Sequence, residues 1–207
     1  MKLRIAGATV FALLGLSAAV ASAQQAPPAM EAGALQLALV NLPARSSEKL
    51  VVTSPAFSML GDIPFENTSW RANIFPGLAW TAGPAGTKSY VVIMEDGDAL
   101  SKGVPILHWT MVNIPASITH LDAGMTAPPE GAVNGPNIRG PAHAYMGPRT
   151  PPGPKHRYHM QVLALDTTIP GGSQNSYADL IASMKRHVLA SGELIGLGQA
   201  PPADSAK

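Results

Sequence analysis

The chain has 207 residues, with 14 Lys and Arg against 13 Asp and Glu and a net charge of +1 when histidine is neutral. Such a balance, with no basic stripe interleaved with aromatics, excludes the concentrated positive surface that nucleic-acid binding needs. The absence of cysteine excludes disulfides, thiol catalysis, thiolate metal sites and a lipid-bearing N-terminal cysteine, so the core alone must hold the fold.

Lys2 and Arg4 precede an apolar run over residues 5–20, which is followed by Ala21-Ser22-Ala23. That order is the layout of a secretory signal peptide over residues 1–23. The run is too short, and too rich in Ala and Gly, for a permanent span. No membrane span is therefore expected after cleavage, and the expected destination is the periplasm or the exterior. Residues 24–48 read as a flexible N-terminal segment, partly ordered, because their Ala-, Gln- and Pro-rich start offers little apolar surface to offset the entropy of ordering. Residues 49–200 suit one domain, and residues 201–207 read as a disordered tail.

Within the domain, 20 Gly and 20 Pro, counted over the whole chain, act as punctuation between short runs of strand character. These runs are residues 50–53, 88–94, 108–114 and 156–165, with a short closing strand expected over 194–197. One segment has a helix period: Tyr177, Leu180, Ile181, Met184 and Val188 form a single apolar stripe. Ser176 is placed to cap it, with Asp179 three residues on, and Lys185, Arg186 and His187 sit late, where the helix dipole favours positive charge. Short strands separated by turn-rich loops predict a sandwich or barrel. Residues 116–155 form a connection far longer than normal. Its prolines limit the entropy of holding one shape, which suits the wall of a binding site.

Polar residues gather at the ends of the expected strands. Asp96 and Asp98 follow the strand 88–94, His108 opens the next, and His156 opens the last long one with Tyr158 two positions on. Side chains at i and i+2 share a face, so His156 and Tyr158 point the same way, and Arg157 and His159 point the other. If strands 88–94 and 108–114 are antiparallel and the strand at 156 starts at the same rim, Asp96, His108, His156 and Tyr158 converge there. Three chemistries fit such a cluster. Imidazoles and a phenol can donate to an anion, with a carboxylate fixing the imidazole tautomer. Asp96, His108 and His156 could ligate a metal, although no familiar zinc spacing is present. An Asp–His pair could activate water or Ser101 for hydrolysis of a small ester, although no G-x-S-x-G elbow exists. A purely structural hydrogen-bond network at the strand rim is a fourth reading.

These residues also carry a resemblance. Glu95-Asp96-Gly97-Asp98-Ala99-Leu100 resembles a D-P-D-A-P stretch, and residues 108–116 (HWTMVNIPA) resemble an H-W-V-V-x-N-I-P-A strand. Residues 147–153 (GPRTPPG) followed by His156-Arg157-Tyr158 resemble a G-P-x-x-P-P-G … H-R-Y signature, and residues 63–64 and 73–80 (NIFPGLAW) are similar to I-P and N-x-S-P-x-L-x-W segments. Residues 177–195 resemble the family's closing helix and tail. Together, over about residues 53–198, they resemble the phosphatidylethanolamine-binding protein family in its bacterial Raf-kinase-inhibitor-like branch. The resemblance implies a mainly β, antiparallel sandwich with a few peripheral helices, the clearest near the C-terminus. It implies a pocket for phosphate or a phospholipid headgroup, built here from Asp96, Asp98, His108, Gly147, Pro148, His156 and Tyr158, with no catalysis, cofactor or metal. A protein partner, such as a protease or kinase-like enzyme that the chain inhibits, is the alternative the family suggests. Three departures from the pattern touch the site: Gly97 and Leu100 stand in place of prolines, which should loosen Asp98, and Phe75 stands in place of a small serine. A fourth, Arg186 in place of glycine, lies before His187.

Overall fold

The computed structural model describes residues 37–101 and 103–202. The expected signal peptide, the first part of the N-terminal segment and most of the C-terminal tail lie outside them. In chain order the elements are α1 (Ala38–Asn41), β1 (Val52–Thr53), β2 (Gly61–Asp62), a 3-10 turn (Phe65–Asn67), β3 (Leu78–Trp80), β4 (Ser89–Ser101), β5 (Val104–Pro115), β6 (His120–Leu121), β7 (Val133–Asn134), β8 (His156–Leu165), α2 (Tyr177–Met184) and β9 (Val188–Gly198). One sheet has the order β2-β9-β8-β4-β5-β7 and a smaller one β1-β3-β6. All pairs are antiparallel except β2, which runs parallel to β9 at the edge.

The central strand β4 is buried on both faces, which is why residues 90–94 read as an unbroken apolar run. Tyr90, Val92 and Met94 face the small sheet and meet Leu78, Trp80, Trp109, Met111 and Met160. Val91 and Ile93 face the other way and meet Leu42, Leu163, Leu180, Met184 and Val188. The layers are therefore small sheet, large sheet and helices. Each fully buried aliphatic side chain of β4 contributes about 1.5–3 kcal/mol relative to exposure.

Strand β8 has the expected bounds, whereas the others shift. β1 shrinks to two residues. β4 and β5 run on past the apolar stretch as a hairpin joined at Ser101 and Val104, so His108 lies four residues inside β5 rather than at its start. Ser176 caps α2 as expected, accepting from the Asp179 N–H at 3.1 Å. The helix ends at Met184, because Arg186 takes a left-handed φ of 69° that reverses the chain. Val188, expected on the helical stripe, instead opens β9, which is much longer than the predicted 194–197.

The long connection 116–155 is tied down. Its stretch 134–137 lies along the edge of β5: Gly135 N–H donates to the Thr110 carbonyl at 2.9 Å, Thr110 Oγ1 donates to Pro136 at 2.8 Å, and Trp109 Nε1 donates to Asn134 Oδ1 at 3.0 Å. These bonds cover an edge that would otherwise offer open pairing groups.

Candidate functional site

Asp96, His108, His156 and Tyr158 come together, three of them by strand pairing and periodicity and His108 by a bulge. Asp96 pairs with Tyr158 across β4 and β8 and shares its face with Tyr90, Val92 and Met94. His156, two residues before Tyr158, brings Nδ1 to 2.8 Å from Asp96 Oδ2. His108 arrives by a different device. Met94 pairs with Trp109 but Glu95 with Leu107, so His108 is the extra residue of a β-bulge. Bulges re-aim side chains in this way. Leu107 packs on the helix side and Trp109 on the sandwich side. The His108 ring meets Tyr158 edge-on with centroids 5.1 Å apart.

Hydrogen bonds fix which atoms remain available. His108 Nδ1 lies 3.0 Å from the Met146 carbonyl. A carbonyl only accepts, so Nδ1 carries the hydrogen and neutral His108 has a bare Nε2. His156 donates its Nδ1 hydrogen to Asp96 by the same logic. In its neutral form each imidazole offers a lone pair at Nε2 rather than a second donor. Burial lowers the His108 pKa from 6.5, against smaller opposing effects of the Met146 carbonyl and the Asp96 charge. Tyr158 shares a 2.9 Å hydrogen bond with Thr150 Oγ1. Burial first, and then the negative charge of Asp96, raise its pKa, so it stays a phenol.

Gly147 and Pro148 sit on the loop that supplies the Met146 carbonyl, and other residues hold that loop. Asn73 Oδ1 accepts from Gly147 N–H at 2.7 Å, and Asn73 Nδ2 donates to the Tyr145 carbonyl at 3.0 Å. Ser69 donates its hydroxyl to the Gly147 carbonyl at 2.9 Å and its N–H to Pro148 at 2.8 Å. A Cβ at Gly147 would sit 2.4 Å from the Asn67 carbonyl oxygen, so only glycine fits. Tyr145 OH donates to that same carbonyl at 2.8 Å, and Phe75 packs on both Tyr145 and Trp109 at 5.3 and 5.1 Å. Phe75 is therefore core beneath the wall. Across the site, a Cβ at Gly198 would fall 2.5 Å from Tyr158 Cε2 and 2.8 Å from Thr150 Oγ1. Sequence reasoning assigned no site role to Ser69, Asn73, Thr150 or Gly198, although Asn73 and Thr150 lie in the segments 73–80 and 147–153 that carry the family resemblance. Asn73 is also an asparagine, a residue that tolerates the left-handed φ of 56° seen there.

Asp98 does not join the cluster. The β4–β5 register jumps between Asp96 and Leu100, so residues 97–99 leave the ladder. Asp98 Oδ2 accepts from Arg157 N–H at 2.7 Å and from Arg157 Nε at 2.9 Å. Burial alone would raise the Asp98 pKa, but the Arg157 hydrogen bonds and charge outweigh it and hold the carboxyl below the usual range. Gly97 itself lies close to His159: a Cβ there would meet His159 Nε2 at 2.6 Å. Arg157 and His159 do face away from the cluster, and His159 pairs with Glu193 at 2.9 Å. Elsewhere, His187 pairs with Asp166 and His120 lies near Asp122 on the surface. Among the described residues no hydrogen bond joins Ser101 to a histidine, and no group of three His, Asp or Glu is placed to hold a metal.

The sequence and the fold match known proteins. Residues 53–199 match the family model of phosphatidylethanolamine-binding proteins. The YbcL protein of Escherichia coli K12 is 41% identical over 129 residues, 59% of this chain and 69% of YbcL. A Chlamydia muridarum protein is 32% identical over 148 residues, 70% of this chain and 95% of that one. The solved structure of a phosphatidylethanolamine-binding protein homolog from Chlamydia trachomatis superimposes with a TM-score of 0.67 at 30% identity, over 75% of this chain and all of that one. The YbcL structure does so equally well, at 29% identity over 74% of this chain and all of YbcL. The fold is thus a binding-protein scaffold of β-sandwich type. The chain belongs to the phosphatidylethanolamine-binding protein family, in its bacterial YbhB/YbcL-type branch.

Proposed function

We propose that this chain is an exported, non-catalytic binding protein whose pocket takes a small anion, either inorganic phosphate or the phosphoester end of a lipid headgroup. The observation that carries this reading is the inward use of both imidazole Nδ1 hydrogens, on Asp96 and on the Met146 carbonyl. Each ring is held rigidly with its Nε2 left over, beside a phenol that keeps its proton. Protonated, the two Nε2–H groups become charge-assisted donors, which are about twice as strong as neutral ones. Unprotonated, they repel an anion's lone pairs, and Asp96 adds a negative charge. The pocket is therefore a proton-linked anion site. The basic start of the chain and its apolar run support export to the periplasm or beyond.

Calorimetric titration of inorganic phosphate and of phosphoethanolamine, at about pH 5.5 and about pH 7.5, tests the reading. Binding should be tighter at the lower pH and lost in His156→Ala, with no phosphate released from the ester. Binding that is undetectable at both pH values would end the proposal. A preference for phosphoethanolamine over phosphate would mark the headgroup, and the reverse the free ion. Cell fractionation of a tagged full-length chain tests export.

A further inference from the structure

The segment after α1 and the end of α2 form a cleft of about 400 Å³, lined by Asn41, Leu42, Pro43 and Ala44 with Arg45, Lys185 and Arg186 around them. It lies on the helix side of the large sheet, because Leu42 and Met184 pack in the helix-side core. That is the face opposite Asp96 and Tyr158. The volume is within the range of small-molecule sites.

Its charge is unbalanced. Asp166 is held by both Arg45 and His187. The hydrogen bond from His187, aided by Arg45 and opposed by burial, keeps the Asp166 carboxyl below the ordinary range. It is thus ionised and already paired with both. Lys185 and Arg186 are exposed, and neither has an acidic partner within ion-pair distance among the described residues. The carboxyl end of α2 adds only about half a negative charge, so the two cations outweigh it. Arg186 also holds a left-handed φ of 69°, a conformation glycine adopts without strain. A long cation kept at a strained position beside an apolar cleft points to a role for its charge.

We propose that this cleft is a second ligand site, for an aliphatic anion: a carboxylate head against Lys185 and Arg186, with a short hydrocarbon tail over Leu42, Pro43 and Ala44. Charge complementarity selects the head, and the apolar floor selects the tail.

The test is an NMR titration of the protein with octanoate, 1-octanol and acetate, in wild type and in the Lys185→Gln/Arg186→Gly double variant. Glycine suits the φ at position 186, so the variant keeps the fold, and its melting temperature checks this. Octanoate should shift the amides of residues 42–45 and 185–187. Octanol and acetate should each bind at least about tenfold more weakly, and the double variant should lose about tenfold or more in octanoate affinity. Equal octanoate binding by wild type and variant would overturn the proposal. So would octanol matching octanoate, shifts centred on His108 and His156 with loss of binding in His156→Ala, or no octanoate binding at all.

Discussion

Glu95 and Asp96 are consecutive in β4, both buried and both carboxylates, yet the fold treats them in opposite ways. Glu95 faces the helices and is fully engaged. It accepts from Ala38 N–H at 2.8 Å, Gln161 Nε2 at 2.6 Å and Tyr177 OH at 2.5 Å. Those bonds pin both helices to the sheet: α1 gets from Glu95, and from Gln161 Oε1 at Leu39, the N-terminal partners that its own sequence does not supply. Asp96 faces the sandwich side and receives His156 and the Asp98 N–H. Its neighbours His108 and His156 each keep a bare Nε2. One face uses a buried acid to close a structure, and the other uses one to orient a histidine beside a second ring whose Nε2 is also bare.

Breaking the closed side should have the largest effect. Glu95→Ala strands three buried or half-buried donors at once and should cost about 3–5 kcal/mol of stability, read by urea unfolding. Asp96→Ala should cost only about 1–2 kcal/mol, because His156 can turn to water, but should remove most phosphate binding. If the two substitutions destabilise equally, the contrast between the faces is wrong.

The next effect is steric. Gly198→Ala puts a methyl group into Tyr158 and Thr150, which should cost about 1–3 kcal/mol and weaken anion binding with it. Tyr158→Phe at the same site should retain most of the stability and lose only the donor. Binding of phosphate unchanged in both variants would remove Tyr158 from the pocket.

A smaller effect is proton linkage through His108. Its pKa is lowered in the folded chain, so the unfolded chain takes up the proton first. The stability associated with His108 is present above about pH 6.5 and is lost as pH falls through the folded value. A bound anion acts in the opposite direction, since it favours the protonated ring. The melting temperature of the free protein should therefore fall between about pH 7.5 and pH 5.5, and the increment due to saturating phosphate should grow over the same interval. His108→Gln should flatten both trends.

The large features of this arrangement were legible in the chain. An apolar run with polar ends fixed β8 and the middle of β4, and period-2 alternation placed His156 and Tyr158 on one face and His159 on the other. What failed to show was any departure from regular pairing. The bulge that turns His108 toward Tyr158 depends on how β5 registers against β4, and no local pattern encodes that. Arg186 ends α2 early by a backbone reversal that arginine rarely adopts, so Val188 looked helical. Ser69 and Asn73 act on a loop more than 70 residues away, a distance over which a single sequence carries no pairing signal.

Asp98 entered the expected site through the family resemblance and not through strand geometry, and it gives the smallest expected effect. Two residues on from Asp96, it would share that face only in a regular ladder. Residues 97–99 leave the ladder, and the carboxylate turns to Arg157 instead. Such a partly exposed ion pair contributes about 0.2–1 kcal/mol. Asp98→Asn should therefore lower stability by no more than that and leave the phosphate affinity of the pocket, and its pH dependence, unchanged. A loss of affinity comparable to that of Asp96→Ala would return Asp98 to the site, because it would mean that the 97–99 excursion swings its carboxylate inward when an anion is bound.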